Sequence, residues 1–552
     1  MDGIFVYGIV LGLIAILLFF NFYAAHRRNK KIKAQIKAEY GRVPQWTMDE
    51  RDYASLKRYH RQCPLGEPEI DDITWADLNM DAVFRRVKNT QSSIGDEYCY
   101  RFFRKQRNQD LDHFEEAVQA MQQDEQSRQQ LQFAFHKIGR KTNNTLVDLL
   151  LAPGNFPKIP MLPIVLLTLL GIGSLVLLGF YLDYGILAVT LSFCLAIILF
   201  SMVLRKIYSA MGALAMFTRM VRAAKLIVKL KLSAFEQETK RLQENLRAFK
   251  NINALADFVL QSSSSNNALM TIVISYFGLY AFAYQAMLGL FHKHRDEALA
   301  LYQIVGFMEV CISLASYRAS LDYCCKPSFS HESKIEFCDI VHPLLKNPVP
   351  NSHTTRNKLL ITGSNASGKS TFARTLAVNA ILGQLFNTCL ARQYTFRPCQ
   401  VYSSMNLKDD ITTGDSFYVA EVKSLKRLLE VAEKPGYSML FLDEMFKGTN
   451  MVERIAAASV ILRRFAQADC FICLATHDME LSRIMGSRYE NYHFQENVSG
   501  DDISFDYKLR EGLSTGSNAI KLLAYCHYDP AIVAQAEAYA EQYRKTGEWE
   551  SL

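Results

Sequence analysis

The sequence lacks a strong excess of either charge, and it lacks the cysteine pattern of a secreted protein. It has 62 Lys and Arg against 55 Asp and Glu, a formal net charge of +7 that by itself says little about nucleic acid. Its 12 cysteines are scattered along the chain, apart from the adjacent pair Cys324 and Cys325. With no secretory context, free thiols in a reducing cytosol are expected. At 552 residues the chain can hold several domains.

Long apolar runs are absent from most of the chain but present in four places. Residues 4–25 are uncharged over 22 positions, enough to cross a hydrocarbon core as a helix. Positive charges follow this run and Asp2 precedes it, which favours an uncleaved anchor over a cleaved signal peptide. Residues 161–182 and 185–204 predict a transmembrane hairpin with both ends inside the cell, and a buried helical hairpin is the alternative.

A fourth apolar run, residues 270–291, carries several tyrosines and a glutamine. A single extra crossing here would place the rest of the chain outside the cell, so this run is interpreted as a core helix. The three crossings predict a multi-pass protein of the cell membrane whose later domain lies in the cytoplasm.

The segment between Arg27 and Arg61 is basic, with 11 Lys and Arg against 4 Asp and Glu. Next to an anchor, this bias predicts attraction to the anionic headgroups of the lipid bilayer, worth about 1 kcal/mol per residue near the surface. A nucleic-acid patch is the second interpretation.

Residues 70–151 and 207–319 have apolar positions at helical spacing, whereas beyond Cys338 short β-like runs alternate with helices. The chain is therefore predicted to combine an α-helical part with an α/β domain.

A complete G-x4-G-K-S phosphate loop follows the apolar run 358–362. A strand would deliver the chain to a tight turn, and a helix starting near Lys369 would aim its N–H groups at an anion, here ATP. Lys369 would reach the β- and γ-phosphates, and the Ser370 hydroxyl would complete a Mg²⁺ shell. The loop consists of Gly363, Ser364, Asn365, Ala366, Ser367, Gly368, Lys369, Ser370 and Thr371.

Two later apolar runs end in residues that suit phosphoryl transfer. The run 438–442 ends in Asp443, which would hold Mg²⁺ through water, and Glu444, which would orient or deprotonate the attacking water. The run 470–475 leads to His477, a candidate sensor of the γ-phosphate. Lys369, Glu444 and His477 are thus the candidate catalytic residues.

In this order the motifs resemble the ATPase domain of the DNA mismatch repair MutS family, a branch of the ABC-type ATPases. Asn365 is similar to the Asn of that family's G-x-N-x-x-G-K-S-T loop, and residues 443–449 resemble its Walker B and D-loop run. Residues 415–421 resemble its S-T-F-M-x-E signature, and residues 475–481 resemble its A-T-H-x-x-E-L motif. The resemblance is weaker upstream, and covers roughly residues 70–160 and 210–545.

The resemblance implies a homodimer with composite ATP sites, in which Ser416 contacts the γ-phosphate bound on the other subunit. ATP binding would close a clamp that probes DNA, and hydrolysis would release it. It also implies a helical core interrupted by the transmembrane hairpin and followed by a P-loop ATPase domain. The predicted boundaries are an anchor at 1–26, a basic segment at 27–69, helical core at 70–160 and 205–338, the hairpin at 161–204 and the ATPase domain at 339–552.

The chain departs from the family in ways that bear on function. Phe446-Lys447 stands where the family has Gly-Arg, and Phe417 stands where the signature has Thr. The sequence leaves no room for the N-terminal mismatch-reading domain and its F-x-E motif. Phe114-Glu-Glu and Phe494-Gln-Glu match those letters by coincidence, the first in a core-like helix and the second in a hairpin.

Three functions are therefore compared. The first is a membrane-anchored MutS-like ATPase that acts on DNA. The second is a membrane scaffold or mechanochemical ATPase that keeps the clamp but has lost its DNA contacts. The third is a transporter, disfavoured because three crossings are few for a translocation path and no L-S-G-G-Q signature occurs.

Overall fold

The computed structural model describes residues 2–45, 50–141, 144–250, 276–356, 358–364, 367–405, 417–499, 502–513 and 526–549, together with residues 520 and 523. The chain divides into two compact units. The first, called here the helical unit, comprises residues 1–65, 87–102 and 113–320. The second, called here the sheet unit, comprises residues 66–86, 103–112 and 321–552.

The described part of the helical unit consists of helices joined by short connections. The first part of the predicted basic segment is not a separate element, because one helix runs without a break from the predicted anchor through residue 39. The later part of the segment contains its own helix, Glu50–Gln62. The helices are Asp2–Glu39, Glu50–Gln62, Ser93–Phe103, Leu111–Gln123, Glu125–Ile138, Leu146–Leu151, Met161–Phe180, Leu182–Leu230, Glu236–Leu246, Leu279–Lys293 and Arg295–Ala319.

Three described helices are long and apolar enough to cross a membrane by length and composition, and their burial separates them. Arg295–Ala319 is 78% buried and is the central core helix of the helical unit. Met161–Phe180 is 22% buried and Leu182–Ile207 is 11% buried, so these two present apolar side chains outward. They coincide with the two arms of the predicted hairpin.

The second arm of the hairpin does not end where its apolar run ends. A single helix of 49 residues, Leu182–Leu230, continues past residue 204 into the core of the helical unit. Its far half buries Ala213, Phe217, Val221 and Ile227. At the predicted boundary, residue 204, the helix does not end, and what changes is the burial of its side chains. A helix can continue unbroken from a part with exposed side chains into a part with buried ones.

The run at 270–291 contacts both the hairpin and the core, and its first six residues lie outside the described part. The Tyr276 hydroxyl lies 3.0 Å from the Ser174 hydroxyl and 2.7 Å from the Ser192 hydroxyl, one on each arm. Helix Leu279–Lys293 then buries Tyr284, whose hydroxyl donates to the Pro157 carbonyl at 2.8 Å. The described part thus packs within the helical unit, against both arms of the predicted hairpin and against the core, and its interpretation as a core helix stays a prediction.

Two carboxyl groups are buried in the helical unit with hydrogen bonds but little neutralising charge. Glu97 accepts hydrogen bonds from the Tyr302 hydroxyl at 2.6 Å and from the Asn144 amide at 3.0 Å. Glu309 accepts from the backbone N–H groups of Gln91 and Ser92. Burial raises the pKa of Glu97 to about 8 and that of Glu309 to about 7.

We expect Glu97→Gln to reduce the pH dependence of stability. The folded protein retains the Glu97 proton at a pH where the unfolded chain has lost it, so the free energy of unfolding falls as pH rises from about 4.5 to about 8. The amide keeps the site neutral, and the Tyr302 hydroxyl can accept from it. Urea unfolding of the purified chain should show a loss for the wild type that exceeds the variant's by about 4 kcal/mol across this range, since each pKa unit of the shift corresponds to about 1.4 kcal/mol.

The control for this experiment is Glu244→Gln, an exposed glutamate of the same helical unit. It should leave the slope unchanged. Equal slopes for the wild type and Glu97→Gln would show that Glu97 is already ionised in the folded protein.

The sheet unit contains two sheets in its described part. A six-stranded sheet has the order β10-β9-β4-β8-β7-β6, and its strands are parallel except for β10, which is antiparallel to β9. These strands are β4 (Lys358–Thr362), β6 (Gln400–Ser404), β7 (Ser438–Asp443), β8 (Cys470–Ala475), β9 (Tyr489–Ser499) and β10 (Asp502–Glu511). A second sheet has the order β1-β5-β2-β3, formed by β1 (Ser328–Phe329), β5 (Gln393–Phe396), β2 (Ile335–Ile340) and β3 (Asn351–Thr355).

Helices cover the central strands of the six-stranded sheet, because these strands are apolar along nearly their whole length. β4, β7 and β8 are buried at nearly every position, as expected for parallel strands with both faces covered. The described helices of this unit are Asp72–Asp77, Met80–Val87, Lys369–Phe386, Phe417–Glu433, Met451–Gln467, Met479–Met485 and Pro530–Thr546.

The boundary between the units differs from the predicted boundary between core and ATPase domain. Residues 66–86 and 103–112, predicted within the helical core at 70–160, group with 321–552. The Asp77 carboxylate accepts from the Ser403 hydroxyl and the Met405 N–H, both at 2.8 Å, and so ties this segment to the end of β6. The Phe103 ring packs on Phe386 with centroids 4.6 Å apart. These contacts join residues about 280 to 330 positions apart in the chain, so no local sequence pattern could have predicted them.

Candidate nucleotide-binding site

The phosphate-loop sequence lies between β4 and helix Lys369–Phe386, as predicted. Gly363 has φ 143°, and a Cβ there would lie 2.8 Å from the Phe494 carbonyl oxygen. Gly368 has φ 107° and caps the helix, and a Cβ there would lie 3.2 Å from the Tyr507 ring. Both positions therefore require glycine, because a side chain would meet the hairpin β9–β10 as well as strained backbone.

Lys369 is 4% exposed and folds back over the loop that precedes it. Its ammonium group donates to the carbonyls of Gly363 at 2.8 Å and Ser364 at 2.6 Å. It also lies 3.4 Å from Nε2 of His477. The Ser367 hydroxyl donates to the Ser364 carbonyl at 2.9 Å, which closes the described part of the loop. The charge is thus held at the helix N-terminus, where an anion is favoured.

Glu444 lies directly after β7 and faces His477, which follows the neighbouring strand β8. The Glu444 carboxylate is 3.1 Å from His477 Nε2 and 3.4 Å from the Lys447 ammonium group. The hydrogen bond with His477, and then the charge of Lys447, lower the pKa of Glu444 to about 2 despite its partial burial. The carboxylate is therefore ionised at physiological pH.

The turn after β7 holds Glu444 in an uncommon backbone conformation. Glu444 has φ 58° and Phe446 has φ 59°, both in the left-handed region. The Glu444 N–H donates to the Ala475 carbonyl at 2.7 Å, and the buried ring of Phe446 packs into the core beneath. Such strain persists only where surrounding contacts over-determine it, which is common at functional sites. Phe446, a departure from the family's glycine, thus serves as a packed anchor of this turn.

A cavity of about 450 Å³ opens at this end of the sheet. Ser370, Thr371 and Asp443 line it, together with Lys369, Gly368, Glu444 and His477. These residues meet because β4, β8 and β7 are neighbours in the sheet, so the segments that follow their carboxyl ends come together. The predicted catalytic and metal-binding residues are therefore all found at one cavity.

Three predicted site residues cannot be placed in this way. Asn365 and Ala366 of the loop, and Ser416 of the signature, lie outside the described residues. Their assigned roles stay predictions.

Many residues that line the cavity were not predicted as site residues, and two of them, Tyr507 and Asn351, contact each other. Tyr507 lies on β10, where the pairing with β9 shifts register between Phe505 and Leu509. The Asn351 side chain fixes this bulge, donating to the Tyr507 carbonyl at 3.0 Å and accepting from the Leu509 N–H at 2.8 Å. The far wall of the cavity is largely apolar, with Val341, Leu345, Pro348 and Val349. The only sequence feature that could have indicated this wall is the frequency of proline in residues 341–350.

The sheet topology and this cavity define an α/β domain with a phosphate loop between its central strand and the following helix. Residues 359–544 match the family model of MutS domain V. The chain is 28% identical over 285 residues to MutS protein homolog 4 of Homo sapiens, an alignment that covers 48% of this chain and 30% of the relative. It is 29% identical over 244 residues to the DNA mismatch repair protein MutS of Natronomonas pharaonis, covering 42% of this chain and 28% of the relative.

These matches relate residues 359–544, about a third of the chain, to domain V of the MutS family. MutS protein homolog 4 of Mus musculus is 28% identical over 260 residues, 44% of this chain and 27% of the relative. The aligned part of the chain thus spans less than a third of the length of the curated relatives it matches.

Proposed function

We propose that the chain is a membrane-anchored MutS-like ATPase that dimerises on ATP and acts on DNA. The observation that carries this proposal is the convergence of Lys369, His477 and Glu444 at one cavity of the domain V segment. A buried cation beside a strand-end carboxylate and a histidine suits the binding and cleavage of a terminal phosphate.

ATP fits the cavity because one wall carries the positive charge of Lys369 and another wall is apolar. Its phosphates would take the place of the loop carbonyls as partners of the Lys369 ammonium group, and its base would lie toward the apolar wall at Val341 and Tyr507. Glu444, ionised and fixed by His477 and Lys447, would orient the attacking water. His477 lies between Lys369 and Glu444 and so would contact the γ-phosphate.

Mg²⁺ also fits the residues present, since Ser370 and Asp443 offer a hydroxyl and a carboxylate at the cavity wall. This ion takes few protein ligands and completes its shell with water and phosphate oxygens. When bound, it would neutralise charge on the phosphates. Ser370 and Asp443 would hold it.

The dimer follows from the resemblance of residues 415–421 to the family signature. Ser416 of one subunit would contact the γ-phosphate held by Lys369 of the other, which places two nucleotides at a shared twofold interface. ATP would then hold the subunits together, and hydrolysis would release them.

The membrane location rests on the burial of the apolar helices. Met161–Phe180 and the first part of Leu182–Leu230 expose large apolar side chains along most of their length, which lipid would cover. Residues 4–25 lie in helix Asp2–Glu39 and would supply a third crossing. With both ends of the hairpin inside the cell, the sheet unit would lie in the cytoplasm with ATP.

A gel-shift experiment tests the action on DNA. The Natronomonas relative is a DNA mismatch repair protein by name, and the basic segment 27–61 offers phosphate contacts. Detergent-purified protein should retain duplex DNA in a salt-sensitive manner that depends on ATP. Failure to retain any duplex at low salt, by a protein that still binds ATP, would remove DNA from the proposal.

A mechanochemical ATPase without DNA contact is the second candidate, and helix Leu182–Leu230 favours it. This helix is continuous from the exposed hairpin arm into the packed core, so it could transmit movement between the bilayer and the core. Cross-linking in native membranes would recover envelope proteins and no nucleic acid if this function holds.

A further inference from the structure

A cleft of about 460 Å³ lies in the helical unit, and every residue that lines it belongs to that unit. Its walls come from helices Asp2–Glu39, Glu125–Ile138 and Leu182–Leu230. Phe133, Leu226 and Leu230 supply apolar surface to the cleft, and Leu226 is 42% exposed. Lys33, Lys137 and Lys229 also line it, with three glutamines of the middle helix. This cleft is called here the lysine cleft.

The lysine cleft concentrates positive charge on an apolar surface. The ammonium groups of Lys33 and Lys137 lie 5.1 Å and 4.4 Å from the centroid of the same Phe133 ring. None of the described residues that line the cleft is acidic. The nearby Glu125 pairs with Lys37 at 3.0 Å and accepts from the Gln129 amide at 2.8 Å. The negative charge of Glu125 is therefore paired with Lys37, a residue that does not line the cleft.

The positive charge continues beyond the cleft along helix Leu182–Leu230. Burial, and then the charge of Arg222, lower the pKa of Lys225. Burial, and then the charge of Arg219, lower the pKa of Lys141.

We propose that the lysine cleft binds an anionic phospholipid, with the phosphate on the lysines and the start of the acyl chains on Phe133, Leu226 and Leu230. Free phosphate would leave the apolar surface exposed, and a nucleic-acid backbone would not cover it either. An amphipathic anion satisfies both parts of the cleft.

The inference rests on the membrane anchoring in the proposed function. Lys33 lies eight residues beyond the apolar run 4–25 on the same helix, a rise of about 12 Å. Headgroups would thus lie near the reach of the Lys33 side chain. Lys229 lies 25 residues beyond residue 204 on its own continuous helix, about 37 Å along the axis, so the proposal requires that part of the helix to run close to the plane of the bilayer. Because Lys33 and Lys229 belong to the anchor helix and to the helix that continues from the hairpin, a bound lipid would connect these two elements.

The test measures fluorescent phosphatidylglycerol and phosphatidylcholine binding to the detergent-purified full chain. Phosphatidylglycerol should bind about tenfold more tightly, and Lys137→Gln with Lys229→Gln should remove most of that preference. Lys137→Arg with Lys229→Arg should restore it. The control, Lys240→Gln with Lys293→Gln, removes the same charge from two exposed positions of the helical unit and should change nothing.

Three outcomes would overturn the inference. The first is equal binding of the two lipids, and the second is an unchanged preference in the Lys137→Gln, Lys229→Gln protein. The third is displacement of the lipid by millimolar inorganic phosphate or by a DNA duplex, which would assign the cleft to a free anion or to nucleic acid. ATP binding by the same preparations reports separately on the phosphate-loop site, so failure of one result is distinguishable from failure of the other.

Discussion

Lys369→Ala should weaken ATP binding by about 100-fold or more, the loss of about 3 kcal/mol in charge-assisted hydrogen bonds. In the free protein the Lys369 ammonium group is buried against the Gly363 and Ser364 carbonyls, so it is already positioned where phosphates would arrive. Alanine removes the charge and leaves the loop backbone to bind the phosphates alone. Titration with a fluorescent ATP analogue measures the effect.

The matched control is Lys358→Ala. Lys358 begins β4, and its ammonium group also donates to a backbone carbonyl, that of Ala468 at 3.3 Å. It stands at the opposite end of the strand from the phosphate loop, so its loss should cost stability without changing ATP affinity. An affinity for Lys369→Ala within a few-fold of the wild type would contradict the assignment of the cavity.

The strands that carry the chemistry could be predicted from the sequence because their signals are local. The apolar runs 358–362, 438–443 and 470–475 coincide with β4, β7 and β8. Each is bounded by residues that cannot continue a buried strand. A parallel strand buried on both faces is apolar throughout, so its ends are visible in composition alone.

The arrangement of those strands and the walls of the cavity could not be predicted in the same way. The meeting of Glu444 with His477 depends on β8 lying between β4 and β7. The family resemblance implied this order of the strands, whereas no local sequence pattern predicted it. Tyr507 reaches the cavity because a register shift in β10 and the Asn351 side chain place it there. The register shift lies within the hairpin β9–β10, but the contact that fixes it joins Asn351 to Tyr507, 156 residues away in sequence, and no local pattern reports such a contact.

The two long apolar helices with little burial, Met161–Phe180 and Leu182–Ile207, illustrate a second limit. The apolar run 185–204 has a clear end in hydropathy, but the helix that contains it continues to Leu230. Its early side chains are exposed, and many of its later side chains are buried against the rest of the helical unit. Composition reports the surroundings of a helix, and its length is set by backbone hydrogen bonds and capping. Here Lys231, with φ 49°, ends the helix.

Glu444→Gln should lower ATP turnover by about 100-fold or more while ATP still binds. The amide has nearly the same shape and can keep a contact with His477, but it cannot accept a proton or attract a water through a full charge. Because the pKa of Glu444 is held at about 2, its protonation should not limit turnover near neutral pH. Phosphate release measured under ATP saturation reports the turnover.

The same variant should accumulate an ATP-bound dimer if two subunits share the nucleotides. Size-exclusion chromatography in detergent, with ATP and Mg²⁺, would show the shift in mass for Glu444→Gln. Glu453→Gln is a suitable control, since Glu453 lies in the same domain near the start of helix Met451–Gln467 and bonds the Thr449 hydroxyl at 2.9 Å outside the cavity. Normal turnover by Glu444→Gln would assign the positioning of water to another group, and a stalled monomer would separate hydrolysis from dimerisation.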